Sequence, residues 1–388
     1  MTAAATADVV VVGGGILGAS TAYHLAREGL RVVLLERGAA NREGSGTTAG
    51  NLHIQAIHTR RPGQLVPVDN VRFLALQRVA SDLWTGIEDE LEADVELRRR
   101  GGFMVAETEQ QVQELVEKRH HEHAHGIPGE VLQGDDARRA LPLLSSAVLA
   151  ASWCPWDGYV NPLKVTAAWL AAARRLGADV RAFTPVTGLG REGRTWTVHT
   201  PSGTWIAPHV VCVCGPWIPE VAALAGAAVA LQPVAIQMHV TERVPPVLHH
   251  LVQHIGEGMS VKQVTSGQLL VGGGWPAREL SLHGRQRPSV ASLLGNLEQA
   301  VRILPFLAEL RILRAWAGPL AATPDEMPVI GEVPEHPGLL VAGGTYAFTF
   351  APLWGRVLRN LVLDRPPIVE VGDLGVDRFY GGVVAGHR

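Results

Sequence analysis

The chain has 388 residues, 47% of them hydrophobic and 18% charged, which excludes a disordered or fibrous protein and leaves room for two interleaved cores. A formal net charge of −3 argues against a nucleic-acid partner, which needs clustered basic surface. Three cysteines, Cys154, Cys212 and Cys214, are too few for a disulfide framework and lack the spacing of a zinc or iron–sulfur site; no metal is expected, and a reducing cytoplasm is.

Residues 8–12 read as an apolar strand covered on both faces. The glycine run 13–18 follows, then a helix over 19–28 with Ala22, Leu25 and Ala26 on one face, ended by Gly29. Residues 31–35 form a second strand with Glu36 at its end, completing a βαβ opening. Residues 37–64 are polar and glycine-rich, too long for a mere connector. Next come an amphipathic helix over 69–91, a strand over 101–107, a charged and exposed helix over 109–125, and a helix over 162–176 with proline at its first position. A β-rich stretch, 179–214, ends in a buried strand at 210–214.

Residues 231–274 alternate in strand fashion, with a turn at Ser266 and Gly267, and 287–304 read as a helix. Beyond Trp316 lie glycine-rich turns, a buried strand at 339–342 and a helix at 352–363. Dinucleotide-domain signals therefore stand at the start, middle and end, so the second domain is inserted. The expected fold is α/β. A Rossmann-type domain takes residues 1–80, 145–230 and 318–388, and an inserted α+β domain on a mostly antiparallel sheet takes 81–144 and 231–317. No run approaches the roughly 18 apolar residues of a membrane span, so any attachment to the inner face of a membrane is peripheral, through partners.

Gly13, Gly15 and Gly18 form G-x-G-x-x-G between a strand and a helix. Gly13 permits the tight turn, Gly15 lets the backbone approach a pyrophosphate, and Gly18 lets helix and strand pack closely. The helix N-terminus offers unpaired N–H groups and partial positive charge to phosphates. Glu36 stands where a carboxylate binds ribose hydroxyls and repels a 2′-phosphate, which disfavours NADP. The motif does not separate NAD from FAD. The run Gly44, Ser45, Gly46, Thr47, Thr48, Ala49, Gly50, Asn51 puts small residues and hydroxyls where a loop passes close to a large ligand, and favours FAD; a bland surface loop is the competing reading.

With these motifs the chain resembles the D-amino-acid oxidase and glycine oxidase superfamily of FAD enzymes along essentially its whole length. Further supports are Asp157 to Pro162, Val210 through Gly215 to Trp217, Trp316 to Gly318, Thr323 to Gly331, and Gly338 through Gly344 to Pro352. Gly50 to Gln55, with Lys262, Gln263 and Gly272 to Gly274, are most similar to the FAD subunits of opine oxidase, D-hydroxyproline dehydrogenase and hydrogen cyanide synthase. Those work in hetero-oligomers with other flavin or iron–sulfur subunits. The resemblance implies a cofactor set of Gly13, Gly15, Ile16, Leu17, Gly18, Glu36, Arg37, Ser45, Thr47, Thr48, Ala49, Gly50, Asn51 and Leu52 along the nucleotide, ribityl chain and ring. Val186 meets the adenine, Gly215 and Trp217 border the ribityl side, and Gly318 adjoins the ring. Asp325 and the loop of Gly344, Tyr346, Ala347, Phe348 and Thr349 carry amides toward the pyrimidine edge.

Two departures stand out. Residues 311–315 lack the flavin-linking cysteine of monomeric sarcosine oxidases, so FAD is expected without a covalent bond. Where glycine oxidases carry a carboxylate-gripping arginine, Leu320 is followed by Ala321. A bidentate arginine is hard to replace.

Flavin amine oxidation needs a neutral amine with its α-carbon held near the flavin, and the protein supplies orientation and electrostatics. No essential acid–base residue is expected. Candidates for substrate contact are His53, Gln55, His58, Arg60, Arg61, Lys262 and Gln263, with Trp316 lining the flavin pocket. His53 and Gln55 are two apart on an extended segment and so share a face; a structural histidine is the competing reading. Arg60 and Arg61 either replace the missing clamp or merely solvate a loop. Lys262 either places a cation near the flavin, as in oxygen-activating oxidases, or is a surface lysine. His120, His121, His123 and His125 sit among Glu114, Glu117, Lys118, Arg119 and Glu122, which reads as a solvated helix face rather than a metal site.

The expected activity is FAD-dependent oxidation of the C–N bond of a small amino acid, imino acid or opine-type secondary amine by hydride transfer to flavin N5, in a hetero-oligomeric dehydrogenase. The alternatives are a freestanding peroxide-producing oxidase, a catalytically silent flavin-binding assembly subunit, favoured only by Ala321, and an NAD-dependent dehydrogenase.

Overall fold

The computed structural model describes residues 4–56, 59–60 and 70–380. A six-stranded sheet runs in the order Asp179–Arg181, Val32–Leu35, Val9–Val12, His209–Cys212, Leu339–Gly343, Val329–Glu332, parallel except for the last pair. Its strands come from the start, the middle and the end of the chain. Alternation explains the unbroken valines of Val9–Val12. Val9 and Val11 pack with the helices Ile16–Arg27, Pro162–Arg175 and Ala351–Val362. Val10 and Val12 face Trp196, Val198 and Trp205 of a four-stranded sheet on the other side. Each fully buried valine contributes roughly 1.5–3 kcal/mol, and a polar residue at any of the four positions would meet one core or the other.

The second sheet has eight strands in the order Ile312–Ala322, Gln232–Arg243, Gln268–Gly272, Ser260–Gln263, Leu251–His254, Gly102–Ala106, Ala150–Cys154, Glu130–Gln133. All neighbours are antiparallel except the parallel pair Leu251–His254 with Gly102–Ala106. Ala150–Cys154 and the end of Ile312–Ala322 belong to this sheet, although their residues fall in the stretches assigned from sequence to the first domain. The helix Val290–Ile303 covers one face over Val105, Val261, Leu269 and Val271. Period-two alternation sends Gln237 to hydrogen-bond the Ser289 carbonyl at the start of that helix, 3.1 Å, while Ile236 and Met238 turn to the opposite face.

Local chemistry moves several predicted boundaries. The first helix begins at Ile16, not residue 19, because Gly18 packs within its first turn. The expected helix over 69–91 is broken. A 3-10 turn, Asn70–Phe73, leads into Leu74–Trp84, and Ile87–Leu91 follows after Gly86 at φ 76°. The helix Glu109–Ala124 starts with a reciprocal capping box between Thr108 and Gln111. His120, His123 and His125 lie on the solvated side expected, but one stripe of the helix does not. Lys118 and Glu122 are 0% exposed and Arg119 is 5% exposed. Glu122 lies 2.8 Å from Lys118 and 2.7 Å from Arg119, so one buried carboxylate is shared by two buried cations.

Candidate functional site

The glycine turn closes where three parts of the chain meet. Gly13 adopts φ 114°, and a methyl there would stand 2.8 Å from the Cys214 Cα. A methyl at Gly18 would overlap the Gly13 carbonyl oxygen, so the helix can approach the turn only with glycine at that position. The Glu36 carboxylate accepts the Gly14 N–H at 2.7 Å and the Gly38 N–H at 2.8 Å, tying the end of the second strand to the turn. Ser45 Oγ accepts the Ile16 N–H at 3.0 Å, and the helical turn Gly44–Thr47 is thereby set against the first helix N-terminus.

A cavity of about 600 Å³ opens from this turn and runs to the eight-stranded sheet. Gly13, Gly15, Ile16, Leu17, Glu36, Arg37, Ser45, Thr47, Thr48, Val186, Gly215 and Trp217 line one end. Ala49, Asn51, His53, Gly318, Gly344, Tyr346, Ala347, Phe348 and Thr349 line the rest. The Arg37 guanidinium lies 3.8 Å over the Trp217 ring, and the Trp217 indole N–H donates to the Leu282 carbonyl at 3.1 Å. Tyr346 sits at φ 59°, a conformation costly for a side-chain-bearing residue, in the loop that walls the far end. The elongated shape, with methyl-free backbone amides at one end and largely apolar walls at the other, fits a dinucleotide carrying a ring system.

Four residues expected at the cofactor do not line the cavity. Gly18 packs on the turn. Gly50 is held against Val160, whose N–H donates to its carbonyl at 2.9 Å. Leu52 is fully buried in the helix-side core. Asp325 pairs with Arg378 at 3.0 Å rather than lining the cavity.

The five candidate catalytic residues separate. His53 lines the cavity, but Gln55 does not. Strand pairing ends at Leu52, so the alternation expected to put them on one face is lost, and the Gln55 amide turns inward to Asp157 at 2.6 Å and the Gly102 carbonyl at 3.3 Å. Gln263 is also removed from the site. Its oxygen accepts from Val247 and Leu248 N–H, and its nitrogen donates to the Val244, Pro245 and Gly267 carbonyls. Trp316 donates to the Thr47 carbonyl at 2.8 Å and lines a neighbouring cavity of about 200 Å³ rather than the main one.

Lys262 lines that same smaller cavity, and it is buried, not on the surface. Its ammonium hydrogen-bonds the Ala49 carbonyl and lies 4.4 Å from the Tyr159 ring centroid. Burial drives its pKa well below the ordinary lysine value. Of the loop candidates, Arg60 belongs to a short strand, Thr59–Arg60, paired with Gly256–Glu257, while His58 and Arg61 lie outside the described residues.

Several residues of this region were not picked out as site residues from the sequence. Met238, Gln253 and Ser260 line the cavity from the large sheet, with Met259 from the connection just before Ser260. Behind Gln253 lies Asp157, 0% exposed, whose Oδ1 accepts the Ile54 and Gln55 N–H groups at 2.8 and 3.0 Å. Its Oδ2 accepts from Gln55 and from Gln253, the latter at 3.2 Å. Burial pushes the Asp157 pKa up to about 6 against the pull of these hydrogen bonds. Burial, then the Lys262 cation, lowers that of His53 to about 4. A glutamine following the apolar Leu251 and Val252 within the strand Leu251–His254 was the available clue to Gln253. Ala321 lines the cavity with no group able to grip a carboxylate. On the charged helix, His123 and His125 spend ring nitrogens on the Gly129 and His121 carbonyls, both at 2.9 Å.

A family model described as FAD dependent oxidoreductase matches residues 8–361. Glycine oxidase of Geobacillus kaustophilus is 29% identical over 386 residues, covering 97% of this chain and 98% of that one. Hydrogen cyanide synthase subunit HcnC of Pseudomonas aeruginosa is 29% identical over 414 residues, covering 96% of each. The crystal structure of the Geobacillus kaustophilus glycine oxidase superposes with a TM-score of 0.87 at 26% identity, covering 96% of this chain and 99% of that one.

Proposed function

The chain belongs to the FAD dependent oxidoreductase family, and from that premise we propose that it oxidises the C–N bond of a small amino acid, imino acid or opine-type secondary amine as one subunit of a hetero-oligomeric dehydrogenase. The observation that carries this reading is the cavity itself, which joins the Gly13 turn and its Glu36 tie to a wall formed by His53, Met238 and Tyr346. Bound FAD, held without a covalent link, supplies a two-electron acceptor for hydride from the carbon beside the amine nitrogen, leaving an imine that water hydrolyses.

The residues divide the remaining work. Gly15 and Leu17 offer amides and the positive end of the first helix to the diphosphate, while the Gly13 N–H on the Leu35 carbonyl and the Ile16 N–H on Ser45 Oγ hold the turn in shape. Glu36 engages the ribose, Val186 and Trp217 border the nucleotide, and Ser45, Thr47 and Thr48 follow the linking chain. Ala49, Asn51, Gly318 and the loop from Gly344 to Thr349 surround the ring. Met238 and Gln253 on the large sheet, with Met259 from the connection before Ser260, close the substrate end and exclude water.

The subunit role is supported by the similarity to a protein named as a hydrogen cyanide synthase subunit, and the partners would be flavin or iron–sulfur proteins that accept the electrons. A cytoplasmic site of action, with attachment to the membrane only through partners, goes with this; no helix among the described residues is long and apolar enough to cross a membrane.

A second reading, a freestanding oxidase that makes hydrogen peroxide, is favoured by one observation: Lys262 is buried against the loop that carries Ala49. Purified protein should be yellow and should bleach anaerobically with a member of a panel of amino acids, N-methyl amino acids and opines. Comparing peroxide release with dye reduction separates the two readings. A colourless preparation that takes up no FAD would sink both.

A further inference from the structure

Strand register sets a row of side chains along the large-sheet wall of the cavity. Gln253 stands opposite Ser260, and Ser260 opposite Gly272. Met238 covers Gly272, where an added methyl would overlap its sulfur. Gln253, Ser260 and Met238 all line the cavity, so the row is polar at the Gln253 end and apolar at the Met238 end.

What the polar end presents is fixed from behind. Asp157 is fully buried, and its Oδ1 takes the Ile54 and Gln55 N–H groups. Its Oδ2 takes the Gln55 amide nitrogen at 2.6 Å. That amide cannot turn round, because the Lys118 ammonium donates to its oxygen at 2.8 Å. Three donors thus hold the carboxyl as an acceptor, and the amide nitrogen of Gln253 is what meets Oδ2, at 3.2 Å.

Gln253 Oε1 is left over. It has no hydrogen-bond partner among the described residues, and it is not sealed in the wall as Asn51 Oδ1 and His53 Nδ1 are. Gln253 is 2% exposed and lines the cavity, so this oxygen looks into it. Once an occupant displaces water, an acceptor so placed is costly unless the occupant brings a hydrogen.

We propose that Gln253 Oε1 accepts an N–H of the substrate amine, and that Asp157 keeps the Gln253 amide turned so that an acceptor faces the substrate. This role rests on the amine-oxidising function proposed above and names the wall that receives the nitrogen. A hydrogen bond along one N–H fixes the direction of the remaining nitrogen lone pair, which has to align with the C–H bond that yields hydride. Gln253 takes no proton, and Asp157 acts only through it, as a positioning residue. An ether oxygen in place of the N–H would set two lone pairs against each other.

The experiment uses FAD-saturated full-length protein at pH 8, where Asp157, with a pKa of about 6, is ionised. The probes are two pairs of like shape, N-methylglycine with methoxyacetate and proline with tetrahydrofuran-2-carboxylate. Their dissociation constants are read by competition against anaerobic flavin bleaching by the best amine of the panel. Wild type is expected to bind each amine about tenfold or more tightly than its ether, the scale of one buried hydrogen bond. In D157N the two backbone N–H groups keep an oxygen at the Oδ1 position, so the new N–H₂ faces Gln253 and turns it round. A donor then meets the substrate, and the preference should invert in favour of the ethers.

Q253M removes the oxygen without touching Asp157 and should bring each pair within about threefold, should D157N fold poorly. In Q253E one proton is shared with Asp157, an oxygen still faces the cavity, and the preference should be kept. A merely structural Gln253 would leave the order of amine and ether unmoved in every variant. Equal binding of amine and ether by wild type overturns the inference and leaves the amine-oxidising reading intact. So does an unchanged preference in Q253M. Bleaching by no amine of the panel overturns that reading, and the inference with it.

Discussion

Glu122 offers the sharpest test of the buried charges behind the site. Its carboxylate meets Lys118 at 2.8 Å and Arg119 at 2.7 Å, and it accepts the Ala56 N–H at 2.6 Å. E122Q keeps the shape and an oxygen for Ala56 but removes the one negative charge shared by two buried cations. Taking away one member of a buried ion pair costs about 3–5 kcal/mol, and two stranded cations place this variant at the upper end of that range. Since folded domains hold only about 5–15 kcal/mol in total, the protein should become marginal. Equilibrium urea unfolding, followed through its ten tryptophans at matched FAD saturation, measures the loss. K118M/E122L removes the pair together and should recover about half of it, leaving only the less deeply buried Arg119 unpaired. An E122Q protein within about 1 kcal/mol of wild type would refute the reasoning, because the cations would then have to be solvated.

G18A should give folded protein by circular dichroism that retains little FAD, since the new methyl overlaps the Gly13 carbonyl; a fully yellow G18A would count against the cradle. Asp157 has a raised folded pKa of about 6 against 3.8 when unfolded, so its contribution to stability is present below pH 3.8 and is lost as pH rises through 6, by about 3 kcal/mol. That component should appear in wild-type unfolding curves between pH 4 and 7 and be missing from D157N. K262M removes a cation that disfavours imidazolium, so the His53 pKa should rise from about 4, though burial keeps it below the ordinary histidine value; an NMR titration reads the change.

Legibility in the sequence followed the range of the interactions. The Gly13 turn, Glu36 and the Gly44–Thr47 loop were readable because a strand, a turn and a helix start within a few residues fix their own geometry. The continuous valines of Val9–Val12 announced a strand between two cores for the same local reason. Gln55 was placed on the wrong side because alternation holds only while pairing holds, and a distant carboxylate, Asp157, drew the amide inward. Gln263 looked like a reaching polar side chain, yet it ties a turn together at both ends. Lys118 and Glu122 have the same i, i+4 spacing in a solvated helix as in a buried one, so sequence could not report that they are sealed. Gln253 and Met238 reach the cavity only through the register of the large sheet.

The scattered origin of the six-stranded sheet bears on how the protein is made. When the glycine turn leaves the ribosome, the Cys214 backbone against which it closes has not yet been synthesised, and the loop from Gly344 to Thr349 comes later still. Strand partners so far apart along the chain must wait for one another, and such sheets assemble slowly, with exposed edges meanwhile. A nascent chain stalled before residue 339 would hold its dinucleotide motif in full and still lack a chamber for the flavin. The flavin chamber is therefore complete only once the last of these segments has joined the sheet.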